Sequence, residues 1–256
     1  MAFRATRALL TTLPKLSHPQ ATPTPLKKTP ATKKKTTILE VERKFRRLAV
    51  PSLTTTVTTN IKNRYSPAFQ SIQPLPTRTI HDIYYDTPHR TLCAAGAWIR
   101  RRNGAWEAKL KRGGDFVNSR FEELRGAEEI GACVRAILGD IPVSGAGGSS
   151  SPSAFEERDN FGLGTLAEFV TTREAWVVDG EFRVVRDVMD FGHEVGEVEL
   201  QVEVEEGTMG EGEKGVMMEE MDQKVEGFMK RYKWAWEKGE AVGKLTAYFE
   251  MVKRRG

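Results

Sequence analysis

The chain has 256 residues, 39% hydrophobic and 29% charged, which gives room for one large domain or two small ones and a sizeable core. Two cysteines, Cys93 and Cys133, cannot build a disulfide scaffold; the four histidines, His18, His81, His89 and His193, lack ligand spacing, which argues against zinc chemistry; and no run reaches the roughly 18 apolar residues of a membrane-spanning helix. The net charge of +4 is uneven, because residues 1–39 carry eight Lys or Arg and no Asp or Glu, so the remainder is mildly acidic and the basic balance says nothing about nucleic acid.

In chain order, MAFRATRALLTTLPKLSH is acid-free and hydroxyl-rich, with Phe3, Leu9, Leu10 and Leu13 interleaved by Arg4 and Arg7. That pattern reads either as a mitochondrial presequence or as a disordered cytosolic extension, so the expected location is mitochondrial in the first case and cytoplasmic in the second. Residues 1–36 are set apart from the fold, and 37–256 form the domain. Strands with period-two alternation follow at ILEVERKF, HDIYYDT, AWIRRR and WEAKLK, then at SRFEEL, EFVTTREAWVV, EFRVVRDVM and GEVELQVEVEE. Between them lie a helix at 126–139 and a Gly/Ser-rich loop at 144–153, read as mobile. After EEGTMGEGEKG, the residues Met218, Met221, Val225, Phe228 and Tyr232 recur at helical spacing, a stripe that reads as core packing.

The strands share an oddity: one face is apolar and the other densely charged. Glu40, Glu42, Lys44 and Arg46 oppose Leu39, Val41 and Phe45; Trp98, Arg100 and Arg102 oppose Ile99; Glu107, Lys109 and Lys111 oppose Trp106 and Leu110; Glu197, Glu199, Gln201 and Glu203 oppose Val198, Leu200, Val202 and Val204. An ordinary antiparallel sheet with its charged face in water gives this pattern. So does a closed barrel with the charged face inward, whose carboxylates would hold a hard cation and whose bases would hold a polyanion.

The ordered segments EVERKF, DIYYDTP, AWIRRR, WEAKLK, FVTTREAW, DFGHEVGEVE and GKLTAYF resemble the CYTH superfamily, the triphosphate tunnel metalloenzymes, over residues 38 to about 250. Within it the wording is most similar to the thiamine-triphosphatase branch. The resemblance implies an α+β fold, an eight-stranded antiparallel β-barrel with a charged interior and helices packed outside. It implies Mg²⁺-dependent hydrolysis of thiamine triphosphate to the diphosphate and phosphate, with Mn²⁺ as the substitute metal. Glu40, Glu42, Glu197 and Glu199 match the metal ligands, and Lys44, Arg100, Arg102, Lys109, Arg173 and Lys244 match the phosphate binders. Lys44 and Tyr84 match a pair that helps activate water, which for a lysine base requires a depressed pKa. Trp98 matches a residue that stacks on the thiamine ring. The family's metal-linked Asp on the seventh strand aligns with Val185, and Asp187, of the same parity, is the candidate substitute. In SRFEEL either Arg120 with Glu122, or Glu123, faces inward.

The expected partner is a small-molecule triphosphate, with no nucleic acid or membrane, and the protein is expected to act as a monomer. The rival readings are an inorganic triphosphatase, another organic triphosphate hydrolase such as a cyclase relative, and a non-catalytic polyphosphate-binding module. GEAVGKLT resembles a P-loop but is one residue short and has Leu245 where a hydroxyl must reach Mg²⁺, so it reads as the end of a helical stretch. KKTPATKKK reads as a solvated tail.

Overall fold

Eight strands alternate in sequence between apolar and charged residues, and a computed structural model shows why both faces are needed. It describes residues 35–54, 67–139 and 157–256. The strands are β1 (Thr36–Phe45), β2 (Ile72–Asp86), β3 (Ala97–Arg102), β4 (Ala105–Gly114), β5 (Asn118–Arg125), β6 (Gly164–Val178), β7 (Phe182–Met189) and β8 (Glu194–Glu205). They close into an antiparallel barrel in the order β1-β5-β4-β3-β2-β6-β7-β8. Closure removes the free edges that an open sheet of this charge pattern would leave.

The barrel carries its apolar face outward and its charged face inward. Leu39, Val41, Val198 and Leu200 point out and are covered by α3 (Glu211–Arg231), whose Met218, Met221, Val225 and Phe228 form the predicted core stripe together with Tyr232. Ile99, Trp106 and Ala108 point out beneath α1 (Thr91–Ala94), α2 (Ala127–Leu138) and the 3₁₀ turn Glu157–Gly162, which contributes Phe161. The helices are therefore required: each removes from water an apolar sheet face that the interior does not use.

Several details depart from the sequence reading. β2 begins nine residues before HDIYYDT, through Pro74 and Pro76. Its first half is laddered only to β6 and pairs with β3 only over Asp82–Tyr85, so the missing proline N–H groups leave no ladder unmade. GEAVGKLT does not end a helix. Gly243 is an extended N-cap at φ −68°, ψ 156°, and Lys244 opens α4 (Lys244–Arg255). Residues 1–34 and the loop at 144–153 lie outside the described residues.

At Gly196 the alternation needs an absent side chain. The Phe45 ring packs over its Cα, and a Cβ there would fall 2.0 Å from Phe45 Cε2 and Cζ. Phe45 is itself buried against Trp236, with ring centroids 4.8 Å apart, so it cannot swing aside freely. Gly196→Ala is expected to destabilise the fold by about 1–3 kcal/mol through overpacking. An unchanged denaturation midpoint would contradict this.

Candidate functional site

The register places the charged residues on one wall. Glu42 sits opposite Glu199, Lys44 opposite Glu197 and Glu40 opposite Gln201 across β1 and β8. Tyr84 sits opposite Arg100, Asp82 opposite Arg102 and Trp98 opposite Lys109 around β2, β3 and β4. Arg173 faces Asp187 across β6 and β7. These side chains enclose a cavity of about 680 Å³. Glu40, Glu42, Asp82, Arg100, Arg173, Asp187, Glu197 and Glu199 are all buried.

Burying a carboxylate costs several kcal/mol unless it is paired, and here each finds a cation. Lys109 Nζ donates to Glu42 Oε2 at 2.9 Å, contacts Glu40, and lies 3.5 Å from Glu123. Lys44 donates to Glu42. Arg102 grips Asp82 with two bonds, at 2.8 and 2.9 Å, and Arg100 grips Glu107 with two, at 3.0 and 2.8 Å. Arg173 grips Asp187 with two bonds, at 2.7 and 2.6 Å, while Lys244 donates to the same carboxylate. Burial pushes the Glu42 carboxyl up, but Lys109 and Lys44 outweigh it and hold it down at about 2. Glu197 is held low in the same way, chiefly by Lys244.

Lys44 shows the converse. Burial would lower its pKa, yet Glu42 and Glu197 prevail and raise it, the reverse of the depressed value that a lysine base needs. Lys44 and Tyr84 are not bonded to each other here; the Tyr84 hydroxyl accepts from Arg100 Nη1 at 3.3 Å. Lys44 is therefore placed to orient a ligand as an ammonium.

Register decides the fifth strand. Ser119, Phe121 and Glu123 face inward, while Arg120 turns out to Asp222 of α3 and Glu122 turns out to Arg112 and Lys214. Arg46 lies beyond the end of β1, exposed and 3.9 Å from Glu237. Asp187 keeps the inward parity but spends both oxygens on Arg173 and Lys244. Val185 beside it is fully buried opposite Glu197. Lys244 reaches the site because His193 Nε2 lies 2.8 Å from the Val242 carbonyl, and because Tyr248 packs on Phe169 and Phe191. Sequence reasoning missed Arg183 and Asp82. Arg183 shares the parity of Asp187, and Asp82 that of Tyr84, which is the signal that could have found them.

The donor set fits a hard divalent cation. Glu40 Oε2 is buried and forms an ion pair with Lys109 but accepts no hydrogen bond of normal geometry. Burial raises the Glu199 carboxyl; Arg183 and Arg173 oppose this, while Glu40 and Glu197 add to it. The raised Glu199 carboxyl marks negative charge that the resident bases compensate incompletely, among all-oxygen ligands of the kind Mg²⁺ takes. Among the described residues no three such side chains converge as a ready cage. Glu40, Glu42, Glu197 and Glu199 are the residues that would hold the metal.

Asp187 neutralises two cations at once, so Asp187→Asn is expected to cost about 3 kcal/mol in denaturant unfolding at pH 7. Its folded pKa is depressed, so this contribution is complete at neutral pH and fades below about pH 4, as the carboxylate is protonated. A variant as stable as wild type at pH 7 would refute the pairing.

The CYTH domain model matches residues 39–226. The chain is 33% identical over 138 residues to the thiamine-triphosphatases of Macaca fascicularis and Homo sapiens. That region is 50% of this chain and 57% of each relative, so the chain spans little more than half the length of the curated relatives it matches. A solved Pyrococcus horikoshii protein is similar at 18% identity over 83% of this chain and 99% of its own, with a TM-score of 0.49. A Hippeastrum protein described as an adenylyl cyclase with dominant triphosphatase activity is similar at 20% identity over 83% of this chain and 96% of its own, with a TM-score of 0.43. With the family's domain model matching most of the barrel and the helix packed on it, the chain belongs to the CYTH domain family.

Proposed function

We propose that this chain hydrolyses the terminal phosphoanhydride of thiamine triphosphate, giving thiamine diphosphate and phosphate. The observation that carries the reading is the charge of the cavity: basic lining residues outnumber acidic ones even when the fully buried Asp82 and Asp187 are counted with the latter. A closed, net-cationic tunnel selects a small polyanion.

Lys44, Arg100, Arg102, Lys109, Arg173 and Lys244 are the proposed phosphate grip. Each now sits on a carboxylate, so a triphosphate replaces one set of anions with another and the side chains turn from carboxylate to phosphate on a fixed wall. Fixed cations of this kind need no reorganisation as charge develops on the transferred group. A divalent ion on the glutamates would add electrostatic stabilisation of the phosphate oxygens. Water oxygen bonds to the terminal phosphorus as the bridging P–O bond breaks. Thiamine diphosphate leaves with the bridging oxygen; of the water's two protons, one stays on orthophosphate and the other passes to the departing diphosphate or to solvent. Lys44, near the end of β1 at the rim of Trp98, belongs to that grip, and the Tyr84 hydroxyl beside Arg100 is the proposed group that orients the water.

Trp98 supports an organic head group. Its indole is half-buried beside the cavity and is held edge-on by Phe121, with centroids 5.6 Å apart. A cationic thiazolium stacks well on indole. The 33% identity with thiamine-triphosphatases supports the same substrate. Because the basic lining would grip any triphosphate, inorganic triphosphate is the second reading.

Two variants test this. Glu42→Gln is expected to abolish Mg²⁺-dependent phosphate release and, because it leaves Lys44 and Lys109 without their buried anion, to cost about 3 kcal/mol of stability, so release is measured well below the variant's melting temperature; full activity there would refute its role. Trp98→Ala is expected to raise KM for thiamine triphosphate about tenfold, a stacking contact of about 1.4 kcal/mol, while leaving inorganic triphosphate unaffected. Equal effects on both substrates would remove the thiamine assignment, and no release by wild type from either would favour a binding module.

A further inference from the structure

We propose that Arg183 is a further phosphate-binding residue that receives the terminal phosphate at the end of the tunnel opposite Trp98, and that it is held on Glu199 until a divalent cation takes that carboxylate. The proposal rests on the triphosphate chemistry above. It begins with the polarity of the barrel. All neighbouring strands are antiparallel, so the β2–β3 and β4–β5 connections and the start of α4 share one rim, and the β3–β4 and β6–β7 turns share the other. Trp98, at the start of β3, belongs to the first rim, where Phe116 and Phe249 also line the cavity. Arg102, at the end of β3 and about 13 Å further along an extended strand, belongs to the second, and so does Arg183, which follows the β6–β7 turn. A head group on Trp98 therefore points its phosphate chain toward Arg183.

The local geometry of β7 gives Arg183 its role. Its inward face runs Arg183, Val185, Asp187. Val185 is apolar and buried, and Asp187 is committed to Arg173 and Lys244. This strand therefore offers the tunnel a cation and no available carboxylate. The glutamates nearest to Arg183 are those of β1 and β8, and for a divalent ion held there Arg183 is the competitor: the Arg183 backbone lies opposite Glu199 and its Nη1 donates to Glu199 Oε2. The Arg183 side chain is 30% exposed, unlike Arg173 at 8%, so it can leave Glu199 without unpacking the wall. Once released, its planar fork of donors matches a terminal phosphate.

The test uses the full chain as wild type, Arg183→Gln and Arg183→Lys, at pH 8. Mn²⁺ affinity is measured by electron paramagnetic resonance without polyanion, and inorganic triphosphate affinity by calorimetry in EDTA. Removing the positive charge is expected to tighten Mn²⁺ about fivefold, by relieving repulsion, and to weaken triphosphate about tenfold, by deleting one charge-assisted contact. Lysine should fall between. Both affinities weakening together, as a damaged fold would give, overturns the proposal, and so does neither moving. If wild type hydrolyses no thiamine triphosphate while the two affinities still move in opposite directions, the proposed function fails and the Arg183 assignment stands.

Discussion

A carboxylate removed from water must be matched by a cation, and this barrel buries an array of them on the inner faces of β1, β2, β7 and β8. The pairs Glu42 with Lys109 and Lys44, Asp82 with Arg102, and Asp187 with Arg173 and Lys244 are therefore conditions for the wall to exist. The rest of the architecture follows. With the interior given to charge, the apolar side chains of the same strands must face outward, and α2 and α3 exist to cover them. A closed ring of strands is the arrangement that lets every charged face see another.

The same constraint prepares the site for its ligand. Lysines and arginines already clustered by internal carboxylates can be redirected to external phosphates at little reorganisation cost, since one set of anions substitutes for another. The balance is not complete. Glu40 meets Lys109 as an ion pair, but Glu199 beside it is held toward its neutral form. Those two residues sit where β1 and β8 meet, the place best suited to an added divalent charge. On the proposed function, selectivity would come from the ends of the tunnel: indole and phenyl groups at one rim, guanidinium groups at the other.

Much of this was legible in the sequence because alternation in a strand is strict. Glu40, Glu42, Lys44, Trp98, Arg100, Lys109, Glu197 and Glu199 all share the wall that their parity assigned them. What parity cannot say is which face is inside, and an exposed charged sheet reads identically until the ring is seen to close. Turn geometry and partner strands decided the remainder. Glu123 faces in and Glu122 out because of a ladder with β1 that no local pattern encodes. Pro74 and Pro76 hid the first half of β2, since their tolerance depends on a neighbour that stops short. The helix from Lys244 was concealed by two glycines before it, and the role of Asp187 by its commitment to two distant bases.

The central claim is that triphosphate and a divalent cation bind together inside the tunnel by displacing its internal ion pairs. It is tested most directly by a crystal structure of the full chain with inorganic triphosphate and Mn²⁺, using the anomalous signal of the metal. The account predicts Mn²⁺ on the carboxylates of β1 and β8, with Lys44, Lys109 and Lys244 turned from those glutamates and Asp187 onto phosphate oxygens. Triphosphate bound outside the barrel, with the ion pairs intact, would contradict it.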